Sequence, residues 1–595
     1  MPKSVIRRRL VAVVGTAVLV LGVTPASAQA AGTAAGIRKL GTVNLREAAT
    51  AAKHAQYRPA LRNLPAAKQF AALEERRNSG SDALQKPTAT LRPPTVAGQR
   101  ITSQEVRGGF EGLDIRDTVF SQGFEVEPPD QGLCGGTVGA TTFLWEEVNL
   151  AIGLFDTGQN QYTPPGLGLN VLYGLPPAFD VGTGQFGPFL SDPKCYFDPD
   201  TNRWIHTVLE ADVDPASGAL TGGANTLLSV SRTPDPFGPY TVYAIDATHA
   251  GCTLCIGDQP LLGADANGVY VSTAEYDLAP PAGSPGFFGA QIYAIDKYAL
   301  ASGGMPNVVH LEPGTQFTGT VQPATSPGGR YETAQLGTEY FMSAQDCEPP
   351  DCHVDANSLE NTIHVWALTH TATLRSAHPD LRLFDRTVKS EVYGQPVPQR
   401  QKAGVHPLGE SHGEPVPTVE SNDARMNQVV FAGGRLWGGV NTIAMPGPRD
   451  GIAWFSVDPS VTESGVRADI RRQGYIAGRD RTSFVSFPSI GVNDAGEGVV
   501  AYSLMGDRYH PSAAQTGINR NGLTTDVQIV RNGFKPEDGF TCYEAEGFGP
   551  SCRWGDYSAS FALPTGEIWS ATEFIGDNAR TTFADWSTFA WPYKP

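Results

Sequence analysis

The sequence predicts an all-β fold made of repeated antiparallel units. One sequence pattern recurs seven times between about residue 130 and the C-terminus. It consists of a polar or acidic loop, a short apolar strand, a Gly or Asn/Asp turn, and a second strand that ends in an aromatic and a polar residue. The clearest copies are residues 191–212, 257–276 and 555–574. The 67 Gly and 46 Pro, with 18% charged residues, are typical of short strands joined by tight turns. The repetition therefore determines the architecture.

The spacing of the repeats predicts how many strands each unit holds. The polar residues that follow the second strands are Glu147, Glu210, Glu275, Gln345, Asn441, Ser503 and Glu573. They are separated by 63, 65, 70, 96, 62 and 70 residues. A unit of this length accommodates four strands with their loops, which is one blade of a β-propeller. We expect a seven-bladed β-propeller of four-stranded antiparallel blades, with an insertion around residues 371–418 in the longest interval.

The N-terminus predicts export. The basic residues 7–9 precede the apolar stretch Leu10–Val23, and a small-residue cleavage site follows at residues 26–28, so residues 1–28 are expected to be a signal peptide. No other stretch approaches the roughly 18 apolar residues that a transmembrane helix needs. We therefore expect a secreted, extracellular protein without a transmembrane anchor.

The charge divides the mature chain into two parts. The net charge is −17, yet residues 29–105 carry an excess of basic residues, so the acidic charge lies in residues 106–595. We expect an Ala-rich basic N-terminal arm and linker over 29–105 and the propeller domain over 106–595. An acidic body argues against nucleic acid as a partner and is compatible with metal ions or cationic ligands.

Eight cysteines in an exported protein predict disulfides. The pairs that lie close in sequence are Cys252–Cys255, Cys347–Cys352 and Cys542–Cys552, which leaves Cys134 and Cys195 as the fourth pair. Two alternatives are a redox pair at Cys252 and Cys255 and a zinc site that also uses Cys347, Cys352 and His353. An oxidising destination favours the disulfides.

Acidic residues recur at fixed positions of the repeats. An Asp precedes a Glu by 17 positions in Asp130/Glu147, Asp258/Glu275 and Asp556/Glu573, and by 18 in Asp192/Glu210. Each Asp precedes a first strand and each Glu ends a second strand, so both should lie at the same end of a blade. A repeated Asp before a strand also commonly caps a turn, which is the structural alternative.

These pairs predict an acidic arc around one mouth of a central channel. The residues expected to converge there are Asp192, Glu210, Asp258, Glu275, Asp556 and Glu573. Crowded carboxylates share protons, shift their pKa values apart or bind cations. Asp192, Asp258 and Asp556 are the metal candidates, and calcium is the expected ion because it takes several oxygen ligands.

Basic and aromatic residues near the strand starts add further candidates. Arg330, Arg425 and Arg553 precede first strands in three repeats and are expected to bind a ligand carboxylate. Tyr557 follows Asp556 directly, and His412 lies at the end of the inserted stretch, where it would place a base beside the channel. If the protein is an enzyme, the catalytic candidates are therefore Glu275, Glu573, Asp556, Tyr557 and His412.

The repeated pattern resembles that of secreted bacterial seven-bladed β-propellers, loosely of the sialidase kind, over roughly residues 110–595. The turns at residues 198–204 and 265–270 are similar to the Asp-box hairpins of sialidases. The complete Asp-box pattern and an Arg-Ile-Pro element are both missing from the sequence. The resemblance therefore implies the architecture and does not imply sialidase activity.

Two classes of function fit this sequence. One is a secreted propeller that binds a glycan, a protein or a cell-surface ligand at the acidic channel mouth, with calcium as a possible cofactor. The other is a glycoside hydrolase or polysaccharide lyase that uses paired carboxylates at the same face. The fold hosts both, so it does not separate them. We expect a monomer. Binding is favoured over catalysis because no catalytic motif stands out from the repeat pattern.

Overall fold

The computed structural model of the protein describes residues 32–52, 91–281, 286–314, 320–344, 359–577 and 586–595. This part of the chain is all-β, and its strands form mainly antiparallel sheets with short helices between them. The predicted signal peptide and much of the predicted basic arm lie outside the described residues. Among the described helices, none has the length and apolar character that crossing a membrane requires.

The first elements precede the repeated sheets. They are β1 (Thr33–Ala34), β2 (Ile37–Asn44), α1 (Leu45–Ala51), β3 (Ile101–Ser103), β4 (Phe110–Asp114) and α2 (Ile115–Gln122). Asn44 and Asp114 cap the two helices, because each side chain accepts a hydrogen bond from an amide of the first turn.

Antiparallel units of four strands follow in chain order. Unit 1 consists of β5 (Gly132–Val138), β6 (Thr141–Val148), β7 (Ala151–Asp156) and β8 (Leu167–Gly168). The connection contains α3 (Leu169–Tyr173), β9 (Phe179–Asp180) and β10 (Gln185–Phe186). Unit 2 consists of β11 (Phe189–Asp198), β12 (Arg203–Val213), β13 (Leu220–Ser231) and β14 (Pro239–Asp246). Unit 3 consists of β15 (Cys255–Ala264), β16 (Gly268–Asp277), β17 (Phe287–Asp296) and, after α4 (Lys297–Ser302), β18 (Val308–Gly314).

The remaining units repeat this order. Unit 4 consists of β19 (Gln322–Thr325), β20 (Thr338–Ala344), β21 (Leu359–Thr369) and β22 (Arg382–Gly394), and α5 (Pro407–His412) and β23 (Thr418–Val419) follow it. Unit 5 consists of β24 (Val429–Ala432), β25 (Arg435–Ala444), β26 (Arg449–Thr462) and β27 (Gly465–Ile476). Unit 6 consists of β28 (Ser483–Val492), β29 (Gly498–Gly506), β30 (Tyr509–Ile518) and β31 (Val527–Arg531). After β32 (Ser551–Cys552), unit 7 consists of β33 (Ala559–Ala562), β34 (Ile568–Ile575), β35 (Trp586–Tyr593) and the N-terminal β4. Short 3₁₀ helices span Pro327–Gly329, Ala334–Leu336, Thr371–Arg375, Phe540–Cys542 and Glu544–Glu546.

The N-terminal strands complete or extend four of the sheets. β4 pairs antiparallel with β35, so it supplies the fourth strand of unit 7. β2 pairs with β14, β1 pairs with β18, and β3 pairs in parallel with β31, which gives units 2, 3 and 6 a fifth strand. The described parts of the segment predicted as an arm and linker are thus integrated into the sheets.

The first strands of the units lie side by side. β5 contacts β11, β11 contacts β15, β15 contacts β19, and β24 contacts β28, which in turn contacts β33. β19 pairs in parallel with β24 and joins units 4 and 5 into one eight-stranded sheet, and β33 contacts β5. Apolar clusters pack between neighbouring sheets, and second-strand tryptophans such as Trp145, Trp204 and Trp437 are fully buried within them.

The long interval between units 4 and 5 differs in position from the predicted insertion. Part of the predicted stretch 371–418 is β22, the outer strand of unit 4. The connection that leaves the sheets covers residues 395–428 instead. Alternation was hard to recognise in β22 because much of this outer strand is exposed on both faces.

The turns between first and second strands form one end of the assembly, here called the hairpin end. At this end Asp198 accepts a hydrogen bond from the amide of Thr201, and Asp265 accepts from the amides of Asn267 and Gly268. Such side-chain hydrogen bonds to the backbone stabilise tight turns. Lys297 is fully buried and donates to Asp198 Oδ1 at 3.0 Å, to Asp200 Oδ2 at 2.8 Å and to the Asp265 carbonyl at 2.8 Å.

Candidate functional site

Aspartates from four units meet at the opposite end, where the first strands begin. Oxygen atoms of Asp130, Asp192 and Asp556 all lie within 4.8 Å of one another, and all three residues are buried. Asp258 is close enough to interact electrostatically with Asp192. These four residues are called the aspartate cluster below. The structure thus places Asp192 and Asp556 together with Asp130, and Asp258 near Asp192.

Local backbone geometry places these side chains. Asp130 and Asp192 have left-handed φ values of 50° and 57°, and Gln259, which follows Asp258, has a φ of 50°. Irregular pairing interrupts β11 after Ser191 and β15 after Asp258, as in a β-bulge. A bulge bends its strand and turns a side chain in a new direction, and Asp tolerates the left-handed conformation better than most residues.

Amides from several loops hold the cluster. The backbone amide of Asp556 donates to Asp130 Oδ1 at 2.7 Å, and Asn149 Nδ2 donates to Asp130 Oδ2 at 2.6 Å. Asn422 Nδ2 and Gln259 Nε2 donate to the two oxygens of Asp556 at 2.6 and 3.0 Å. Two of the carboxylates are therefore fixed in place by neutral donors.

Asp192 differs from these two residues. Its amide donates to Asn149 Oδ1 at 2.9 Å, but its carboxylate accepts no hydrogen bond from any described residue. Burial raises the pKa of Asp192 well above its usual value, and the neighbouring aspartates raise it further. Burial, and then the charge of Asp556, raises the pKa of Asp130 to about 6.

Lys194 and Tyr557 stand next to the cluster. Lys194 Nζ lies 3.2 Å from the centroid of the Tyr557 ring, in a cation–π contact, and forms no hydrogen bond with a described residue. Burial lowers the pKa of this amine to about 8, although the nearby carboxylates oppose the shift. Burial also raises the pKa of Tyr557 well above its usual value, and the Tyr557 hydroxyl has no hydrogen-bond partner among the described residues.

Two long loops cover the aspartate cluster from outside. Residues 395–428 and 532–558 are linked by the parallel pair β23–β32. The Asp538 carboxylate accepts from the amides of Leu408 and Gly409 at 3.1 Å, and the Cys542–Cys552 disulfide closes the second loop. Because these loops lie over the strand starts, the cluster faces the interior of the assembly and not the solvent.

A cavity of about 250 Å³ runs along the first strands from the aspartate cluster towards the hairpin end. Beside the cluster it is lined by Gln131, Asn427 and Tyr557, which are buried. At the hairpin end the lining residues Gly328 and Pro564 are exposed, so the cavity opens there. The four aspartates do not themselves belong to the described lining, since Gln131, Lys194 and Tyr557 stand between them and the space.

The closed end of the cavity carries polar atoms without partners. Both amide atoms of Gln131, the ammonium of Lys194, the hydroxyl of Tyr557 and Nδ2 of Asn427 are buried and form no hydrogen bond with the described residues. A buried polar atom without a partner costs roughly 1–3 kcal/mol. Several such atoms around one space indicate that the space accepts a polar molecule.

The predicted glutamates do not join the aspartates as a set. Glu275 accepts from Thr273 Oγ1 and Tyr293 Oη and pairs with His249, and Glu210 accepts from Asn225. Glu573 lies nearer the cluster, because it accepts from the Gly555 amide at 3.0 Å and interacts electrostatically with Asp130. Burial raises the pKa of Glu210 to about 7 and that of Glu573 well above its usual value.

The second strands explain this separation. Glu147, which ends β6, pairs with His206 of β12 in the next unit. Side chains of a second strand point to the faces of the sheet and so reach a neighbouring unit, whereas the bulged first strand turns its Asp inward. Glu210 and Glu275 therefore lie at the same end of their units as Asp192 and Asp258, but they have partners of their own.

The four predicted basic residues occupy different environments. Arg425 is buried and forms two hydrogen bonds with Asp423, at 2.7 and 2.5 Å. Arg553 belongs to the second covering loop and favours the charged form of Asp130. Arg330 is exposed and pairs with Asp494 at 2.8 Å, away from the other two. His412 lies on α5 and pairs with Glu546 at 3.0 Å. These residues do not form one carboxylate-binding group.

Three of the four predicted disulfides are present: Cys134–Cys195, Cys252–Cys255 and Cys542–Cys552. Cys347, Cys352 and His353 lie outside the described residues. Glu147, Cys195 and His206 also bring three potential metal ligands together, but the Cys195 sulfur is bonded to Cys134 and is not available as a thiolate.

Sequence reasoning missed several residues of the site. Gln131, Lys194 and Gln259 each follow an Asp of the cluster by one or two positions and are polar residues within or directly before an apolar first strand. That polarity was a signal that could have identified them. Asn149 and Asn422 come from loops with no repeated pattern, so no sequence signal pointed to them.

Comparisons with known proteins do not identify a family. No family model matches the sequence, and no curated protein matches it. A protein of unknown function from Dyadobacter fermentans is 10% identical, with 68% of this chain and 95% of that chain covered and a TM-score of 0.34. A Hadza microbial sialidase is 10% identical, with 77% of this chain and 74% of that chain covered and a TM-score of 0.31. An endo-arabinase from Bacteroides thetaiotaomicron is 12% identical, with 68% of this chain and 94% of that chain covered and a TM-score of 0.27. Such low TM-scores and identities leave the chain similar to these proteins without assigning it to any of their families.

Proposed function

We propose that the seven units close into a seven-bladed β-propeller that is secreted and binds the end of a glycan in its central cavity. The contact between β33 and β5 supports closure, because it brings the first strand of the last unit against the first strand of unit 1. The pairing of β4 with β35 supports it as well, since an N-terminal strand then completes the last blade.

The observation that carries the binding proposal is the set of unpaired polar atoms at the closed end of the cavity. Lys194 and Asn427 offer donors, Gln131 offers a donor and an acceptor, and the Tyr557 hydroxyl can act as either. Sugar hydroxyls also donate and accept, so a sugar residue can satisfy this mixed set. A ligand with one kind of group only would leave some of these atoms unpaired.

The size and walls of the cavity fit the same ligand. Its volume of about 250 Å³ is slightly below the roughly 300 Å³ at which ordinary small-molecule pockets begin. It therefore suits a terminal sugar residue that enters from the hairpin end while the rest of the glycan stays outside. Phe197 and Phe561 line the walls and offer the ring surfaces on which sugars commonly stack.

A second candidate is glycoside hydrolysis. The oxygen atoms of Asp130, Asp192 and Asp556 lie within 4.8 Å of one another, and burial raises the pKa values of Asp130 and Asp192. Paired carboxyl groups of which one stays protonated are what acid–base hydrolysis of a glycoside requires. Binding is better supported, because Gln131, Lys194 and Tyr557 separate the aspartates from the cavity.

The experiment is a glycan array with the mature protein, followed by calorimetric titration of the best ligand. Gln131→Ala and Tyr557→Phe should each weaken binding by about tenfold, which corresponds to about 1.4 kcal/mol. Tyr298→Phe, an exposed tyrosine on α4, is the matched control and should bind like the wild type. Unchanged affinity in both cavity variants would exclude the cavity as the binding site.

The same samples decide between binding and hydrolysis. If the protein releases reducing ends from the bound glycan and Asp192→Asn abolishes that release, hydrolysis replaces binding as the function. If the glycan is recovered intact, and Gln131→Ala and Tyr557→Phe weaken its binding while Tyr298→Phe does not, the binding proposal stands.

A further inference from the structure

The aspartate cluster has the geometry of a cation site. Ligand oxygens lie 2.3–2.6 Å from a bound calcium ion, so two ligands on opposite sides of the ion are roughly 4.6–5.2 Å apart. Oxygens of Asp130, Asp192 and Asp556 are within 4.8 Å of one another, so one ion can reach all three.

Unpaired oxygens give a second, independent indication. The Asp192 carboxylate is 5% exposed and accepts no hydrogen bond from the described residues. Gln259 is 2% exposed; its Nε2 is bonded to Asp556, while its Oε1 has no partner among the described residues. The cluster therefore presents buried oxygen atoms that lack donors, although neutral amides satisfy Asp130 and Asp556.

The local charges also favour a cation. Lys194 and Arg553 stand near the four aspartates, and Glu573 and Glu147 add negative charge to the same region. The Lys194 ammonium is not hydrogen-bonded to any of these carboxylates, since it lies over the Tyr557 ring. Two cations do not balance this many buried carboxylates, and like charges at this distance are costly without compensation.

We propose that Asp130, Asp192 and Asp556 bind a hard divalent cation, expected to be calcium, with Gln259 Oε1 and Asp258 as further ligands behind the cavity lining. This site goes beyond the glycan proposal, because its residues do not line the cavity. Calcium bound there would hold together the starts of the first strands of units 1, 2, 3 and 7.

The test is calorimetric titration of calcium chloride into the mature, metal-free protein at pH 7.5, without any glycan. We expect one site per chain. Asp192→Asn and Asp556→Asn should each weaken calcium binding by at least tenfold while the circular dichroism spectrum stays that of the wild type. Asp212→Asn, which removes an exposed carboxylate from the same unit, is the matched control and should bind calcium normally.

Lys194→Met gives the decisive contrast. If calcium occupies the cluster beside the ammonium, removing that charge should tighten calcium binding severalfold. Calcium binding that appears only in Lys194→Met would show that Lys194 is itself the counter-charge and would overturn the proposal. Binding that Asp192→Asn leaves unchanged, or no binding at millimolar calcium, would overturn it equally. A negative glycan array does not affect this result, so the two proposals fail separately.

Discussion

The two ends of the cavity use similar residues in opposite ways. At the hairpin end Asp198 and Asp265 accept hydrogen bonds from turn amides, and Lys297 donates to three oxygen atoms. At the aspartate end the Asp192 carboxylate and the Lys194 ammonium form no hydrogen bond with the described residues. A buried charge with all of its partners stabilises a fold, whereas one without partners costs stability and marks a place where a ligand can bind.

The pKa shifts express the same contrast. Burial raises the pKa of Asp265, but Thr371 and the amides of Asn267 and Gly268 oppose the shift. For Asp192 burial is joined by three other aspartates that raise its pKa further, and the charge of Lys194 opposes them. The repeated Asp is therefore a turn-forming residue at one end and a candidate ligand at the other.

The largest expected difference lies between the two lysines. Lys297→Met leaves Asp198 buried without its ammonium partner, and breaking a buried pair in this way costs roughly 3–5 kcal/mol. Lys194→Met removes an ammonium without hydrogen bonds and should cost less than about 1 kcal/mol. Urea denaturation in calcium-free buffer measures both changes. Equal losses would contradict the contrast between the two ends.

The pH dependence of stability tests the aspartate end through the comparison of the wild type with Asp130→Asn. Because the folded-state pKa of Asp130 is raised to about 6, the folded protein binds more protons than the unfolded chain between about pH 4 and pH 6. The free energy of unfolding of the calcium-free protein should therefore fall as the pH rises through this range, by roughly 2–3 kcal/mol. Urea denaturation at several pH values measures this fall, and the fall should be smaller in Asp130→Asn, because Asp117, whose pKa burial also raises to about 6, still titrates in that variant. A calcium-free protein that grows more stable over this range would argue against the raised pKa.

Exchanging aspartate for asparagine should have opposite signs at the two ends. Asp192→Asn removes a buried carboxyl group whose ionisation is disfavoured by burial and by three other aspartates, and it should raise the calcium-free free energy of unfolding at pH 7 by about 1–2 kcal/mol. Asp265→Asn weakens the hydrogen bonds from two turn amides and should lower it by about 1 kcal/mol. Thermal denaturation of the two variants beside the wild type gives the signs directly. A loss of stability in both would make Asp192 a structural residue.

The smallest expected effect concerns two tyrosines. Tyr557→Phe removes a hydroxyl without a partner and should change the free energy of unfolding by less than about 0.5 kcal/mol. Tyr331→Phe removes a hydroxyl that donates to Asp198 at 3.3 Å and should cost about 1 kcal/mol. Denaturation curves of the two variants measure both changes in the free energy of unfolding. A larger loss of stability in Tyr557→Phe than in Tyr331→Phe would indicate a partner for the Tyr557 hydroxyl.

The repeat pattern predicted the strands and the meeting of the aspartates because both follow from periodic spacing along the chain. Each Asp stands immediately before or within the start of a first strand, so units packed side by side bring these residues together. The direction of a side chain does not follow from spacing. The left-handed residues Asp130 and Asp192 turn inward, whereas Glu210 and Glu275 lie on second strands with partners of their own.

The partners of the site were harder to predict for another reason. Asn149 and Asn422 reach the aspartates from loops that are 273 positions apart in sequence, and only the folded arrangement joins them. The same holds for the N-terminal strands, whose short polar sequences resemble a linker. β3 is recognisable as a strand only beside β31, to which it is hydrogen-bonded.

These N-terminal strands also bear on assembly and on synthesis. An open sheet edge offers unpaired amides and carbonyls to any passing strand, and β2, β1 and β3 cover such edges on units 2, 3 and 6. Thr102 of β3 donates to the Val527 carbonyl, 425 residues away in sequence, so the first part of the chain to be made has to wait for the last part. Contacts of such long range make folding slow. A chain cut short before β31 would leave that strand's place beside β3 empty and expose the edges that the complete protein hides.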